Sequence, residues 1–302
     1  MKDQEMNVKV DSEKIAMRVS YVTMAGNMIL SAFKLVAGIV ANSGAMISDA
    51  IHSASDVFST IIVIIGVKLA AKQSDASHPY GHERLECVAS IVLAVILGAT
   101  GIGIGVSGLE KITSGSYGDL VVPGQLALVA AVRSIGVKEW MYWYTRAAAK
   151  KINSGALMAD AWHHRSDALS SIGALIGIYF ARKGYPIMDP IASLVICIFI
   201  LKAAFDIFMD GIDKMVDKGC PDEVVEEMKK VILAQEGVEG IDVIRTRLFG
   251  AKIYVDVEIC ADGSLNLTEA HEIAEKVHHA IEESNELIKH CMVHVNPVEK
   301  QK

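Results

Sequence analysis

NSGAMISDAIHSASD, residues 42–56, returns without a gap as NSGALMADAWHHRSD, residues 153–167, with nine of fifteen positions identical. Each copy opens a long apolar stretch. Each also sets an aspartate, a histidine and a second aspartate at i, i+3 and i+7: Asp49, His52, Asp56 and Asp160, His163, Asp167. In an α-helix that spacing puts the three on one face. An aspartate at bilayer depth costs on the order of 3 kcal/mol on insertion scales, so several together must be compensated.

The flanking sequence supplies the bilayer. A helix that crosses the hydrocarbon needs roughly 17–25 predominantly apolar residues. Six such runs occur, near 16–40, 45–70, 86–110, 121–144, 155–181 and 187–210. The third is almost free of charge, and Gly98, Gly101, Gly103, Gly105 and Gly108 along it suit close helix packing. Lys and Arg gather at the amino terminus (Lys2, Lys9, Lys14, Arg18), after run two (Lys72, Arg84), after run four (Arg146, Lys150, Lys151) and after run six (Lys214, Lys218). The opposite loops carry little beyond Lys111, with Arg182-Lys183 as one discordant pair. This bias predicts both termini on the cytoplasmic side of the cell's inner membrane. The repeat copies then run in opposite senses, an inverted repeat whose site belongs near the midplane.

Charge divides the chain. Of the 302 residues 52% are apolar and 22% charged, and mean hydropathy is +0.35. Residues 214–302 hold 18 acidic and 11 basic side chains, so the whole net charge of −7 sits there. Two domains are expected: an α-helical membrane domain of six helices over 1–213, and a cytoplasmic domain over 214–302. In the latter, Pro221–Gln235 reads as a helix. Ile241–Leu248 and Lys252–Ile259 read as strands turning at Phe249-Gly250, Asn266–Ser284 as a helix, and Cys291–Val295 as a strand. The order α-β-β-α-β suits an α+β, ferredoxin-like layer. The apolar fraction excludes a disordered chain, and a pI near 5.8 speaks against a nucleic-acid partner. Five scattered cysteines without a CxxC pair make neither a disulfide framework nor a thiolate zinc site. The polar first fifteen residues predict no cleaved signal peptide.

If the two polar faces meet, His52, Asp56, His163 and Asp167 supply two imidazoles and two carboxylates, a set suited to tetrahedral Zn²⁺. Compensation of the helix dipole is sufficient reason for Asp49 and Asp160, while His164 and Arg165, which break the symmetry of the repeat, are expected to point away from the site and have no metal role. A lone His–Asp pair is equally a helix-packing hydrogen bond; its duplication points to a metal or proton site. A second cluster, Asp75-x-x-His78-x-x-x-His82, has spacing for one cation or is a solvated polar loop. In the C-terminal domain Asp242, Asp256, Glu258, His271 and His294, with Asn296, read first as ordinary surface, as do His278, His279 and His290. Among charges inside the runs, Lys34, Arg133, Lys138, Glu139, Lys202 and Asp206 have no assigned role; pairing across helices is open to them. Arg133 has no evident partner.

Six spans, HxxxD at His52/Asp56 and His163/Asp167, the HPYGHERLE loop and the αββαβ tail together resemble the cation diffusion facilitator family over nearly the whole chain. That resemblance implies a homodimeric antiporter, not an enzyme, that moves a divalent metal, usually Zn²⁺, out of the cytoplasm in exchange for protons. It implies a transport site of His52, Asp56, His163 and Asp167, a loop site of Asp75, His78 and His82, and a dimer salt bridge of Arg84 with Asp217. A cytoplasmic metal site is matched by His271 and His294. Asp242 and Asp256 stand there where relatives have histidines, and Asn296 where they have a carboxylate. Mn²⁺, Fe²⁺ or Co²⁺ cargo is an alternative, because imidazole plus carboxylate suits several ions. A metal-sensing scaffold without flux and an intramembrane metalloenzyme are rivals, the latter needing an open three-ligand site rather than a duplicated four-ligand one.

Overall fold

The computed structural model describes the backbone of residues 2–40, 44–114, 125–182, 185 and 187–298. Side chains are described in these ranges except at 2–11, 37–38, 44–52, 54–55, 125–131, 170, 173–182, 188–189 and 192. Two compact units result, Asp11–Ile212 and a second built from Asp213–Lys302 with Met1–Val10.

Six long helices are described: α1 (Lys2–Val40), α2 (Gly44–Ala70), α3 (Arg84–Ser114), α4 (Gln125–Ile152), α5 (Gly155–Arg182) and α6 (Met188–Met215). Each contains most of one apolar run, but α1 begins well before its run and α4 and α6 continue past theirs. A helix satisfies its own backbone, so it continues into polar sequence where hydropathy falls. Among the described residues, the segments Ser12–Val36 and Arg84–Ser114 are long and apolar enough to cross a membrane.

The first unit has an apolar core around Leu97, Leu157 and Ile200, but it also buries charged and polar groups and exposes many apolar ones. Its outward faces carry Met28, Ile29, Val36, Val95, Ile102, Ile198, Phe199 and Phe205, all exposed. Its interior holds Thr23, Asn27, Lys34, Ser53, Asp56, Thr60, Lys138, Thr145, Asp160, His163 and His164, all buried. A water-soluble bundle has the opposite arrangement; apolar side chains outside suit hydrocarbon as solvent. Small residues bring the helices together. A methyl group at Gly105 would lie 2.6 Å from the Cys197 sulfur, and one at Gly101 would lie 3.0 Å from Ile200, so α3 and α6 approach at glycine contacts. Gly103, on another face, meets nothing within 4 Å.

The second unit contains α7 (Asp222–Leu233), β1 (Gly240–Phe249), β2 (Lys252–Asp262), α8 (Leu267–Ser284) and β3 (Ile288–Val298). Strand order is β1-β2-β3. β1 and β2 are antiparallel, and β2 and β3 are parallel, as a helical crossover requires. Phe249 pairs with Lys252, so the hairpin loop is Gly250-Ala251 rather than Phe249-Gly250. Gly250 takes φ +63°, which a residue without Cβ adopts freely. One face of β2, Ile253, Val255, Val257, Ile259 and Ala261, packs beneath Ile273, Val277 and Ile281 of α8 and Met228 and Ile232 of α7. β3 exceeds its apolar core because parallel pairing with β2 extends from Ile288 to Val298.

Asn266 caps α8: its side chain accepts from Thr268 and Glu269 N–H at 3.0 Å each, and Glu269 returns a bond to the Asn266 N–H at 3.0 Å. Asn266→Ala is expected to weaken this helix start by about 1 kcal/mol. Hydrogen exchange should show faster exchange in the first turn of α8; unchanged protection would contradict the cap's contribution.

Candidate metal centre

Gly44 and Gly155, equivalent positions of the sequence repeat, open α2 and α5. At the second copy the local chemistry is visible. Asn153 leaves α4 with φ +53°, a left-handed conformation that asparagine tolerates. Ser154 N–H bonds back to the Ala149 carbonyl at 2.9 Å, and its hydroxyl caps the Leu157 N–H at 3.2 Å. These contacts fix where α5 begins and hence which face carries its polar residues. Asn42 and Ser43 of the first copy lie outside the described residues.

Asp56 from α2 and His163 and Asp167 from α5 converge, their ligand atoms all within 4.8 Å of one another. His163 Nε2 is 3.4 Å from Asp56 Oδ1. Their side chains are 2%, 8% and 9% exposed. His52 belongs to α2, but its side chain, like that of Asp49, lies outside the described residues.

A further charged residue completes the cluster. Lys138 of α4 places Nζ 2.5 Å from Asp56 Oδ2 and 2.8 Å from Asp167 Oδ2, with its side chain 3% exposed. Sequence reasoning placed Lys138 among unassigned charges. A signal was available: Lys138 and Asp167 stand at similar distances on either side of the Asn153-Ser154 turn, so adjacent antiparallel helices put them at one depth. His164 is buried rather than turned outward, and its Nε2 lies 3.6 Å from Asp160 Oδ2. Asp160 itself is completely buried, with the Thr60 hydroxyl 3.5 Å from Oδ1, so more than the helix dipole surrounds it. Arg165 does point away, lying 4.3 Å over the Tyr142 ring and 3.6 Å from Glu139. Lys34 donates to the Ser53 hydroxyl at 2.8 Å. Arg133, Lys202 and Asp206 are exposed on their helices.

The loop between α2 and α3 gathers Asp75, His78 and His82, again within 4.8 Å. His78 Nδ1 is 3.3 Å from Asp75 Oδ1 and His82 Nε2 is 3.4 Å from Oδ2. Asp75 also accepts the backbone N–H groups of Ser77 and His78 at 3.0 and 2.9 Å, and pairs with Lys72 at 2.8 Å. Gly81 at φ +101° turns the chain between the histidines. The Lys72 ammonium and the His78 N–H hold the Asp75 carboxyl well below the usual carboxylate range. His82 Nδ1 is buried without a hydrogen-bond partner among the described residues.

In the second unit Asp242 accepts from the Asn296 amide at 2.7 Å, and Asn296 also reaches Glu258 at 3.5 Å. The Cys260 thiol and the Asn296 amide lower the Asp242 carboxyl. Asp256 and Glu258 alternate with the buried residues of β2 and so occupy the face away from the helices, where Glu258 is in register with His294. His271 is on α8, in the helical layer, and lies 3.7 Å from Glu275. The four matched residues Asp242, Asp256, His271 and His294 are thus divided between the two layers. Arg84 opens α3, and Asp217 follows α6 with φ +62°. They belong to different units.

A profile described as the cation efflux transmembrane domain matches residues 20–216, and one for the cation efflux protein cytoplasmic domain matches residues 220–298. The chain belongs to the cation efflux family. Within this family of metal cation transporters, it is 37% identical to an uncharacterized transporter of Methanocaldococcus jannaschii, over 92% of this chain and 97% of that one. It is 31% identical to the manganese efflux system protein MneP of Bacillus subtilis, over 95% and 98%. A cadmium form of the MamM CTD is 26% identical and covers 26% of this chain and 98% of its own, with a TM-score of 0.25.

A carboxyl with a lowered pKa contributes stability that is present above its unfolded value and lost as pH falls through the folded one. The Asp75 loop should therefore keep its amide protection at Ser77 and His78 as pH falls from 7 to about 4, near the ordinary aspartate value. Asp75→Ala should lose that protection throughout. Hydrogen exchange across this pH range measures both; loss of the wild-type protection above pH ~5 would contradict the assignment.

Proposed function

We propose that this cation efflux protein exports a divalent transition metal, Zn²⁺ first, in exchange for protons. In this reading six helices within residues 1–213 span the inner membrane, and residues 214–302 form a cytoplasmic domain, with both termini cytoplasmic. A homodimer is the working unit, with Arg84 and Asp217 as its salt bridge. The observation that carries the reading is the meeting of Asp56, His163 and Asp167 inside a bundle whose outer faces are apolar. His52, one turn from Asp56 on α2, is the fourth donor. Asp75, His78 and His82 form a loop zinc site; because Asp242, Asp256 and His294 belong to the sheet and His271 to the helical layer, the weaker cytoplasmic site combines them across the homodimer.

Lys138 gives the site its charge logic. Two carboxylates alone in a low-dielectric interior are very costly; the ammonium neutralises one charge and hydrogen-bonds both. At an effective dielectric of ~20, unit charges 4 Å apart interact by about 4 kcal/mol, and a dication doubles that to about 8. Metal and ammonium therefore exclude each other from the carboxylates: the cargo binds as Lys138 withdraws, and Lys138 returns as the cargo leaves. Neutral imidazoles bind metal, and protonation on the acidic side, with an unperturbed pKa of about 6.5, favours release. Rocking of the two repeat halves about the site exposes it to each side in turn.

Manganese is the second cargo reading, supported by 31% and 32% identity to the manganese efflux system proteins MneP and MneS. Paired carboxylates suit Mn²⁺, whereas imidazoles favour Zn²⁺. Proteoliposomes loaded with a pH dye and challenged with Zn²⁺, Mn²⁺, Fe²⁺, Co²⁺ and Cd²⁺ separate these readings. Proton movement against Zn²⁺ is expected; movement with Mn²⁺ alone reassigns the cargo, and none with any ion removes the transport proposal.

Asp56→Ala and Asp167→Ala should each abolish metal-driven proton flux while leaving a folded protein by size-exclusion chromatography. Near-wild-type flux in either would refute the site. Lys138→Gln removes a competitor whose charge-assisted hydrogen bonds are worth ~1.5–3 kcal/mol each, so metal affinity should rise at least about tenfold. Turnover should fall as release slows. Calorimetric titration and flux read the two effects, and weaker metal binding by the variant would overturn the exchange mechanism.

A further inference from the structure

We propose that His278, Glu282 and His290 form a separate transition-metal site in the second unit, taking a Zn²⁺-like cation. His278 and Glu282 are one turn apart near the end of α8, and His290 is near the start of β3. Their ligand atoms all lie within 4.8 Å of one another. The cluster is independent of Asp242, Asp256, His271 and His294. His290 and Asn296, which bonds Asp242, are separated by six residues of β3, roughly 20 Å of extended strand.

Hydrogen bonding fixes how the donors face. His278 Nδ1 is 2.7 Å from the Cys291 carbonyl, which can only accept, so Nδ1 carries a proton. In a neutral ring Nε2 then presents its lone pair, and it lies 3.3 Å from Glu282 Oε1. That oxygen already accepts the Cys291 N–H at 3.1 Å, and His290 Nδ1 approaches it at 3.1 Å. The His278 Nε2 lone pair and the Glu282 oxygen repel at this distance unless a cation, proton or metal, stands between them, while His290 Nδ1 meets the same oxygen either as an N–H donor or, without that proton, as a second ligand.

Distances and surroundings suit a metal. With bonds of roughly 2.0–2.1 Å, the ligands of a tetrahedral zinc ion stand about 3.3–3.4 Å apart, and the two imidazole nitrogens lie 3.3 and 3.1 Å from the Glu282 oxygen. Two imidazoles and one carboxylate select a borderline ion such as Zn²⁺ or Co²⁺ over Ca²⁺ or Mg²⁺. The outer contacts are in place as well: the Cys291 carbonyl orients His278, and the Cys291 N–H orients Glu282. The Glu282 side chain is 8% exposed and that of His290 44%, so the carboxylate is sheltered while one side stays open for an ion and a water ligand. Bound metal would fasten α8 to β3 across the turn at residues 285–287.

Equilibrium dialysis of the full chain in detergent against Zn²⁺, and Co²⁺ absorption spectra, test the site. His278→Gln, Glu282→Gln and His290→Gln should each lose one metal equivalent per chain and the corresponding cobalt band. His279→Gln, altering the neighbouring exposed histidine, should lose neither. Glu282→Gln keeps an oxygen to accept the Cys291 N–H, so it separates loss of ligation from loss of fold. Asp56→Ala should retain this equivalent, which distinguishes the site from the transport centre. In the wild-type chain Zn²⁺ should protect His278 and His290, but not His279, from diethyl pyrocarbonate. Equal stoichiometry in all variants, or no such protection, would show that protons alone hold the cluster and would overturn the proposal.

Discussion

Asp56 and Asp167 face each other inside a bundle whose outer surface is apolar, and neither can remain there as a bare charge. This electrostatic constraint governs the helical unit. It demands a cation between two helices far apart in sequence, and Lys138 supplies one from a third. Any metal that binds the same oxygens must displace that ammonium. A metal that took its place would differ from it in one respect that matters: the ammonium is tethered and the metal can leave.

The same rule explains the packing. Small side chains where α3 and α6 meet let helices approach where no water-driven collapse operates between them. Buried hydroxyls and amides accompany the charged cluster, and many large apolar side chains point outward while others, Leu97, Leu157 and Ile200 among them, fill the core between the helices. The second unit follows ordinary aqueous logic instead. β2 buries one row of Val, Ile and Ala beneath α7 and α8 and leaves Asp256 and Glu258 on the other face. Two solvents thus shape one chain, and the change in charge density near residue 214 marks where one gives way to the other.

Much of this is local and was legible. The repeat placed an aspartate and a histidine on matching faces, and two copies inside apolar runs implied that the faces meet; Asp56, His163 and Asp167 do so. The elements of the second unit follow from alternation, from the Asn266–Glu269 capping box and from Gly250. Long-range chemistry was less legible. Lys138 was one of several charges in apolar runs, and nothing local separated it from Arg133, which is exposed. His278 and His290 read as surface histidines because their meeting depends on how β3 packs against the end of α8. His271 was grouped with His294, yet His271 lies in the helical layer and His294 on the sheet.

Sequence alone determined the helices, the strands, the division of charge and the repeated His/Asp candidates, because periodicity, capping and hydropathy act over a few residues. The tertiary structure decided which of these side chains meet and that Lys138 lies among them. Coulomb energy and hydrogen bonding depend on distances of a few ångströms between groups up to about a hundred residues apart, and only the packed helices and the paired strands fix those distances.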